Sequence, residues 1–465
     1  MFGHYFQTLQ NCFKVSELRS RIFFTLGILV VCRLISLVPI PGLDGAMLTQ
    51  FFNDLREIQM ADGKERGLLD MYSMFTGGAL ERCAVGSLGI MPYISATIIL
   101  QLMTAVVPSL SKLSREEGGR TQIIKYGRYL TVLLCLGQGL VMSFGWENPG
   151  QIFGTWDTEK YGSLVGEGGW WYRIRTMLLL TTGTVLLMWL GEQISERGIG
   201  NGISLVITVG IIAQIDTAML GMWEIFFPEA GQGHAAKGIV LVALLLAVVG
   251  VVIAVTQGMR KIPVQYAQRN VGRKMYQGGS TYFPLRVNYA GVMPIIFAQA
   301  ILMFPSQIFG SVGRMISEKN ILVSLGDSLN YGSGWNLLMQ SLMILFFSYF
   351  WVATQFNETQ ISDDLKKAGG YIPGVRPGNA TRDFLHHAMS RLTLAGAMFL
   401  VVIAVIPTVL AVQFEIPFQV AQFFGGTSLL IMVGVMLDTM RQMESHLAQH
   451  HYDGFLKTGK VRGRF

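Results

Sequence analysis

The chain has 465 residues, 51% of them apolar and only 14% charged, with mean hydropathy +0.44 and a formal net charge of +7. That balance excludes a soluble core and marks an integral membrane protein. The charge does not mark a nucleic-acid binder, because it sits in loops between apolar runs. The four cysteines, Cys12, Cys32, Cys83 and Cys135, have no CxxC spacing and read as small buried hydrophobes.

Ten apolar spans follow one another, over about 22–39, 84–107, 123–145, 174–191, 203–222, 238–257, 290–309, 337–356, 393–413 and 423–440. The first is no cleavable signal peptide: its apolar run is too long, and PIPGLDG follows where a small-residue cleavage site belongs. Before the second span lies a shorter hydrophobic piece, Leu68 to Phe75, ending in Gly77-Gly78. Roughly 20 apolar residues are needed to cross ~30 Å of hydrocarbon, so this piece is a loop or a half-inserted helix. Non-helical backbone at that depth is tolerated only where protein or a water-filled cavity covers it, which points to a transport device. With ten spans both ends lie on one face. That face, with the loops after even-numbered spans, collects most of the 36 Lys and Arg, so both termini are expected in the cytoplasm.

Two loops on that face are long. Residues 258–289 hold Arg260, Lys261, Arg269, Arg273, Lys274 and Arg286 without an acid, and residues 357–391 are mixed in charge, with a turn at Val375 to Gly378. Positive-inside bias alone explains such charge. Their length also fits a docking surface for a partner rich in phosphate or carboxylate. Neither HExxH, GxSxG nor a phosphate-cradling loop occurs; Gly198, Gly200 and Gly202 read as a tight turn, and His386-His387 and His450-His451 as solvated pairs. No enzyme activity, cofactor or metal is expected. A secondary transporter of a small solute is the alternative, but it should carry ionisable groups mid-span, and Glu192, Asp216 and Asp438 lie toward span ends.

Five stretches resemble the SecY family of preprotein-conducting channels. They are GGALERCAVGSLGIMPYISATIILQLMTAVVP (77–108), WLGEQISERGIGNGISLVI (189–207), AGVMPIIFAQAILMFP (290–305), GVRPG (374–378) and FGGTSLLIMVGVMLD (424–438), in order along the whole chain. The resemblance implies an all-α polytopic fold: ten transmembrane helices in two pseudo-symmetric five-helix halves, 1–230 and 231–465, around an hourglass pore with a short half-inserted plug helix. It implies a channel that passes unfolded preproteins across a bacterial inner membrane and releases signal sequences and transmembrane segments laterally into lipid. The implied partners are SecE-type and SecG-type small subunits, the SecA ATPase, the ribosome with its nascent chain, and membrane lipid.

The resemblance also implies roles for residues. Ile90, Ile94, Ile203, Ile207, Ile296 and Ile431 match a pore ring, and the pairs four apart should each line one helix face. β-Branched, apolar isoleucine suits a gasket, being stiff and offering water no partner. A plug over about 69–80 would include Leu69, Met71, Tyr72, Met74, Phe75 and the hinge Gly77-Gly78, although an interfacial segment without a moving role reads the same way. A lateral gate between spans two and seven would include Ser95, Ile98, Gln101, Ala300 and Phe304. Thr97, Thr104 and Gln299 would add scattered interhelical polarity there. Family members often carry a small hydroxyl residue where this chain has Ala300. Partner docking would fall to Arg260, Lys261, Arg269, Arg273, Lys274 and, in its Pro-Gly-bracketed turn, Arg376.

Overall fold

A computed structural model describes residues 12–62, 73, 75–116, 118–150, 156–166, 168–227, 235–266, 269–271, 274–276, 279–302, 334–413 and 418–458. They divide into two compact units, residues 12–223 with 431–458, and residues 224–302 with 334–430.

In the first unit α1 (Ser16–Ile35) and α2 (Gly45–Asp62) are followed by α3 (Met91–Val106), α4 (Pro108–Arg115), α5 (Gly119–Glu147) and α6 (Trp170–Arg197). After these come α7 (Gly202–Ile212) and α8 (Ile215–Phe226), whose last three residues belong to the second unit. The pair α5–α6 packs most extensively; α3 lies against α5, and α1 against α6 and α7. Phe23, Leu26, Val30 and Leu34 stay exposed along α1, as an apolar face turned to lipid does. Arg173, at the start of α6, stacks on Phe144 and Trp170 and pairs with Glu147 at 2.8 Å. An aromatic-and-arginine collar of this kind suits a membrane interface.

The second unit holds α9 (Ala235–Gln257), α10 (Met293–Leu302), α11 (Gly334–Gln355), α12 (Glu358–Lys367), α13 (Asn379–Gln413) and α14 (Phe418–Gly425). The last helix, α15 (Thr427–Thr458), begins in the second unit and continues in the first.

Six stretches are long and apolar enough to cross a membrane: 121–147, 170–197, 238–257, 334–367 (which takes in α11 and α12), 379–410 and 420–448 (which takes in most of α14 and of α15). Of the other expected spans, the first is the unbroken 20-residue α1, and the second, fifth and seventh are broken or shorter among the described residues. Span two does not begin at Ala84: residues 77–90 run through turns, helix starts only at Met91, and α3 meets α4 at a 103° bend. Pro108 accounts for the bend, since the residue before a proline is driven out of the helical region; Val107 is extended. Span five is two helices, interrupted at Ala213 and Gln214.

The long segment 258–289 is a larger departure from expectation, for it is not irregular. Strands β1 (Met259–Tyr266) and β4 (Ser280–Arg286) pair antiparallel from Met259↔Arg286 to Gln265↔Ser280. Between them β2 (Arg269–Val271) and β3 (Lys274–Tyr276) form a separate two-stranded ribbon. From the other loop, β5 (Gly370–Tyr371) joins the free edge of β1. Alternation drives this: Ile262 and Val264 of β1 and Leu285 of β4 are buried, and Lys261, Pro263, Pro284 and Arg286 face outward. The buried side packs with Phe356, Ile372, Leu385 and Met389 into one apolar cluster.

Candidate functional site

The expected plug falls partly outside the described residues: Leu69, Met71, Tyr72 and Met74 lie there. Ser73 and the stretch from Phe75 to Ile90 are described, and most of that stretch is buried. Non-helical backbone needs partners wherever water is absent, and here they come from three sides. Ile40 N–H donates to Cys83 O and Val85 N–H to Val38 O, both at 2.9 Å, so the loop after α1 pairs with 83–85 like a short strand. Ser87 Oγ donates to Ala79 O and Ala84 O within the segment. From the helices, the Arg33 guanidinium of α1 donates to Gly77 O, and Gln214, in the α7–α8 break, donates its amide to Ser73 O at 3.1 Å. Ser73 Oγ also donates to the buried carboxylate of Glu81.

Two glycines are required by this packing. Gly77 has φ +65 and Gly78 φ +78, a region L side chains rarely enter. A Cβ on Gly77 would stand 2.7 Å from Arg33 Nη1 and 3.1 Å from the Cα of Gly210; one on Gly210 would stand 2.9 Å from Phe75 O. The segment therefore lies directly against α7 where neither backbone has a side chain. Beside it a small cleft is lined by Arg33, Phe75, Gly89, Ile90, Leu187 and Val206, among others.

Of the six ring isoleucines, Ile90, Ile94, Ile207, Ile296 and Ile431 are buried and Ile203 is half-buried. Ile90 departs from the expected helix face: it is the residue before α3, not a turn within it. The fourfold relation survives, since Ile94 N–H donates to Ile90 O at 3.2 Å. Ile203 and Ile207 both lie on α7. Ile296 sits on α10 in the second unit and Ile431 on α15 at the edge of the first.

Among the gate residues Ile98 and Ala300 are fully buried, and Phe304 lies outside the described residues. The expected interhelical polarity is mostly absent. Ser95, Thr97 and Thr104 donate to their own helix, at Met91 O, Ile94 O and Leu100 O. A hydroxyl three or four residues beyond a carbonyl satisfies itself locally. Gln299 alone reaches out, donating to Thr427 Oγ1 at 3.2 Å, which also receives Gln422 Nε2 at 3.0 Å. One oxygen of Gln101 is buried without a partner.

Of the expected docking residues, two lie on the second unit's sheet. Arg260 and Lys261 project from β1, exposed; Arg269 and Lys274 belong to the β2–β3 ribbon, and Arg273 lies outside the described residues. Arg376 is exposed at the tip of a turn built without using its guanidinium. Val375 N–H donates to Ile372 O, Thr381 Oγ1 to Arg376 O, and Ser362 Oγ to Gly378 O at 2.7 Å. Gly374 and Gly378 take positive φ on either side. His386 faces Glu358 at 2.9 Å.

Three features escaped sequence reasoning: Arg33 and Gln214 as donors to the backbone of Gly77 and Ser73, the pairing of 38–40 with 83–85, and the sheet. A lone arginine inside an apolar run was the signal for the first. Of the acids near span ends, Glu192 is held by a two-pronged Arg128 pair at 2.8 and 3.1 Å.

The SecY family model matches residues 84–440. The protein translocase subunit SecY of Chlamydia trachomatis is 40% identical, over 98% of this chain and 99% of its own length. Two solved structures share the fold. One, of a protein-conducting channel, has TM-score 0.64 at 16% identity, covering 95% of this chain and 94% of its own. Another is a SecY whose plug domain is described as stabilising the closed state of the translocation channel and maintaining a membrane seal. It has TM-score 0.60 at 17% identity with the same coverage.

Proposed function

The chain belongs to the SecY family, and from that premise we propose that it forms the channel of a Sec preprotein translocase, passing unfolded preproteins and releasing signal sequences and membrane segments into lipid. It is a multi-pass membrane protein and not an enzyme. The observation that carries the reading is identity to a translocase subunit along essentially the full length of both chains. In this reading Ile90, Ile94, Ile203, Ile207, Ile296 and Ile431 form the constriction, and apolar isoleucine denies water and ions a hydrogen-bonding partner. Residues 69–80 are the plug, with Gly77-Gly78 as its hinge. Ser95, Ile98, Gln101, Ala300 and Phe304 border the gate, and residues 1–230 and 231–465 are the two halves that open it.

The membrane is the bacterial plasma membrane and both termini are cytoplasmic, a reading supported by the excess of Lys and Arg on one set of loops. Small SecE-type and SecG-type subunits accompany the channel. Energy comes from the SecA ATPase or the elongating ribosome, docked on Arg260, Lys261, Arg269, Arg273, Lys274 and Arg376. Support for Arg376 comes from its exposure on a turn whose own bonds leave the guanidinium free; its planar fork suits carboxylate or carbonyl oxygens as lysine does not.

The test is reconstitution of the chain with its small subunits in liposomes. Addition of the motor ATPase and ATP should render a preprotein protease-protected. Arg376→Glu should abolish that protection while membrane insertion stays normal, and Lys112→Glu should act far more weakly. Absence of protection with the parent chain sinks the channel reading, and equal effects of the two variants sink the docking role of Arg376.

A further inference from the structure

An arginine within an apolar run must satisfy its guanidinium inside the protein. Arg33 lies in the last turn of α1 and donates to a backbone oxygen, Gly77 O, 44 residues away. Asp216 and Arg82 are the charged groups that act on it. A second donor comes from another helix: Gln214 Nε2 reaches Ser73 O at 3.1 Å and Ser73 Oγ at 3.3 Å. These two side chains grip carbonyls four residues apart, one on each side of Phe75 and Thr76. The glycines at 77 and 210 leave the space that lets guanidinium and α7 approach so closely.

We propose that Arg33 and Gln214 are positioning residues that hold the segment around Ser73–Gly77 in its seated state, a latch of two removable donors on a glycine hinge. The inference rests on reading that segment as a plug. Its physical basis is the way the segment is held. A carbonyl held by a charged donor in a low-dielectric site is a strong contact. Unlike apolar packing, it can be given up at once when the segment leaves and the guanidinium turns to another acceptor. One lost charge-assisted hydrogen bond shifts a two-state equilibrium by roughly ten-fold.

The experiment uses the full chain with its small subunits in liposomes and reads resting ion leak and export of preproteins with defective signals. Arg33→Met should raise leak about ten-fold, Arg33→Lys, which keeps the charge but not the fork, should raise it less, and Gln214→Leu should act in the same direction. Deleting residues 69–77 should raise leak as well, and Arg33→Met added to that deletion should add nothing, because Gly77 O, its partner, is gone. If the deletion leaks no more than the parent, the plug reading fails. If the deletion leaks but Arg33→Met and Gln214→Leu do not, the plug stands and the latch is wrong. If Arg33→Met adds the same leak with or without the segment, Arg33 acts on α1 itself and the latch is equally wrong. Should Arg33→Met fail to insert, the Gln214→Leu series, alone and in the deletion, decides by the same criteria.

Discussion

The stretch from Phe75 to Ile90 and the sheet of the second unit are both departures from helix in a chain of apolar helices, and both are buried on one side or more, yet their backbones are satisfied differently. The first takes hydrogen bonds from outside any regular ladder, from Arg33, Ser87 and the edge of residues 38–40, with Gln214 on Ser73 just ahead of it. The second is fixed by side chains: Ile262, Val264, Leu285, Phe356, Ile372, Leu385 and Met389 in one cluster. Apolar packing is non-directional and lost only gradually, whereas hydrogen bonds break one at a time over a short distance. If the proposed plug moves and the proposed docking surface stays fixed, the two are expected to differ in this way.

Leu285→Asp strikes the comparison hardest. An ionised carboxylate in the apolar cluster, where Leu285 is 1% exposed, should cost at least about 3 kcal/mol. Limited proteolysis should then cut within 258–289 and 357–391 while the first unit keeps its parent pattern; general loss of the first unit would break the claim that the two regions are held separately. Gly77→Val comes next, since an L side chain in that conformation costs about 1–3 kcal/mol and its Cβ collides with Arg33. Labelling of a cysteine placed at Thr76 should rise sharply, with the sheet's proteolysis unchanged.

Ser362→Ala removes the hydroxyl that donates to Gly378 O and should cost only about 1 kcal/mol, because the cluster beneath the turn stays. A loss of motor-driven translocation as large as that of Arg376→Glu would show that this turn, too, hangs on single bonds. The smallest effect is electrostatic. The hydrogen bonds from Lys160 and then Tyr161 hold the Asp54 carboxyl below its ordinary range. A depressed carboxylate contributes stability above its unfolded value and loses it as pH falls through the lower folded one. Tryptophan emission should therefore change slightly more on acidification in the parent than in Asp54→Asn, and only in the acidic range. An equal response in both chains would remove Asp54 from the account.

Much of the first region could be read from residues alone. Gly77-Gly78 and the short apolar piece before them flagged a departure from helix, and the isoleucines at 90, 94, 203 and 207 kept their fourfold relations. The sequence did not announce where helix begins. Nothing in Ala84 to Ile90 forbids one, and tertiary pairing with Val38 and Ile40 decides for turns. The sheet was hidden because the basic residues drew the eye, while the alternation of Ile262, Val264, Phe283 and Leu285 is short and interrupted by Pro263 and Pro284. The hydroxyls of Ser95, Thr97 and Thr104 were over-read, since a polar side chain on a membrane helix can close on its own backbone.

The turn between α6 and α7 has a bearing on how the chain is made. Ile199 N–H donates to Thr25 Oγ1, and Gly200 N–H to Gln442 Oε1, a bond between residues 242 apart in sequence. Cys12, Leu18 and Ile199 share an apolar cluster with Met443. The unit built from the first half of the chain thus waits for α15, which is synthesised after the rest of the second unit. Through all the time that the second unit is being inserted, the ends of α1 and α6 lack their final neighbour. Contacts of such long range are closed late and slowly, so an arrested chain ending before α15 should leave the first unit open to proteases that the finished protein resists.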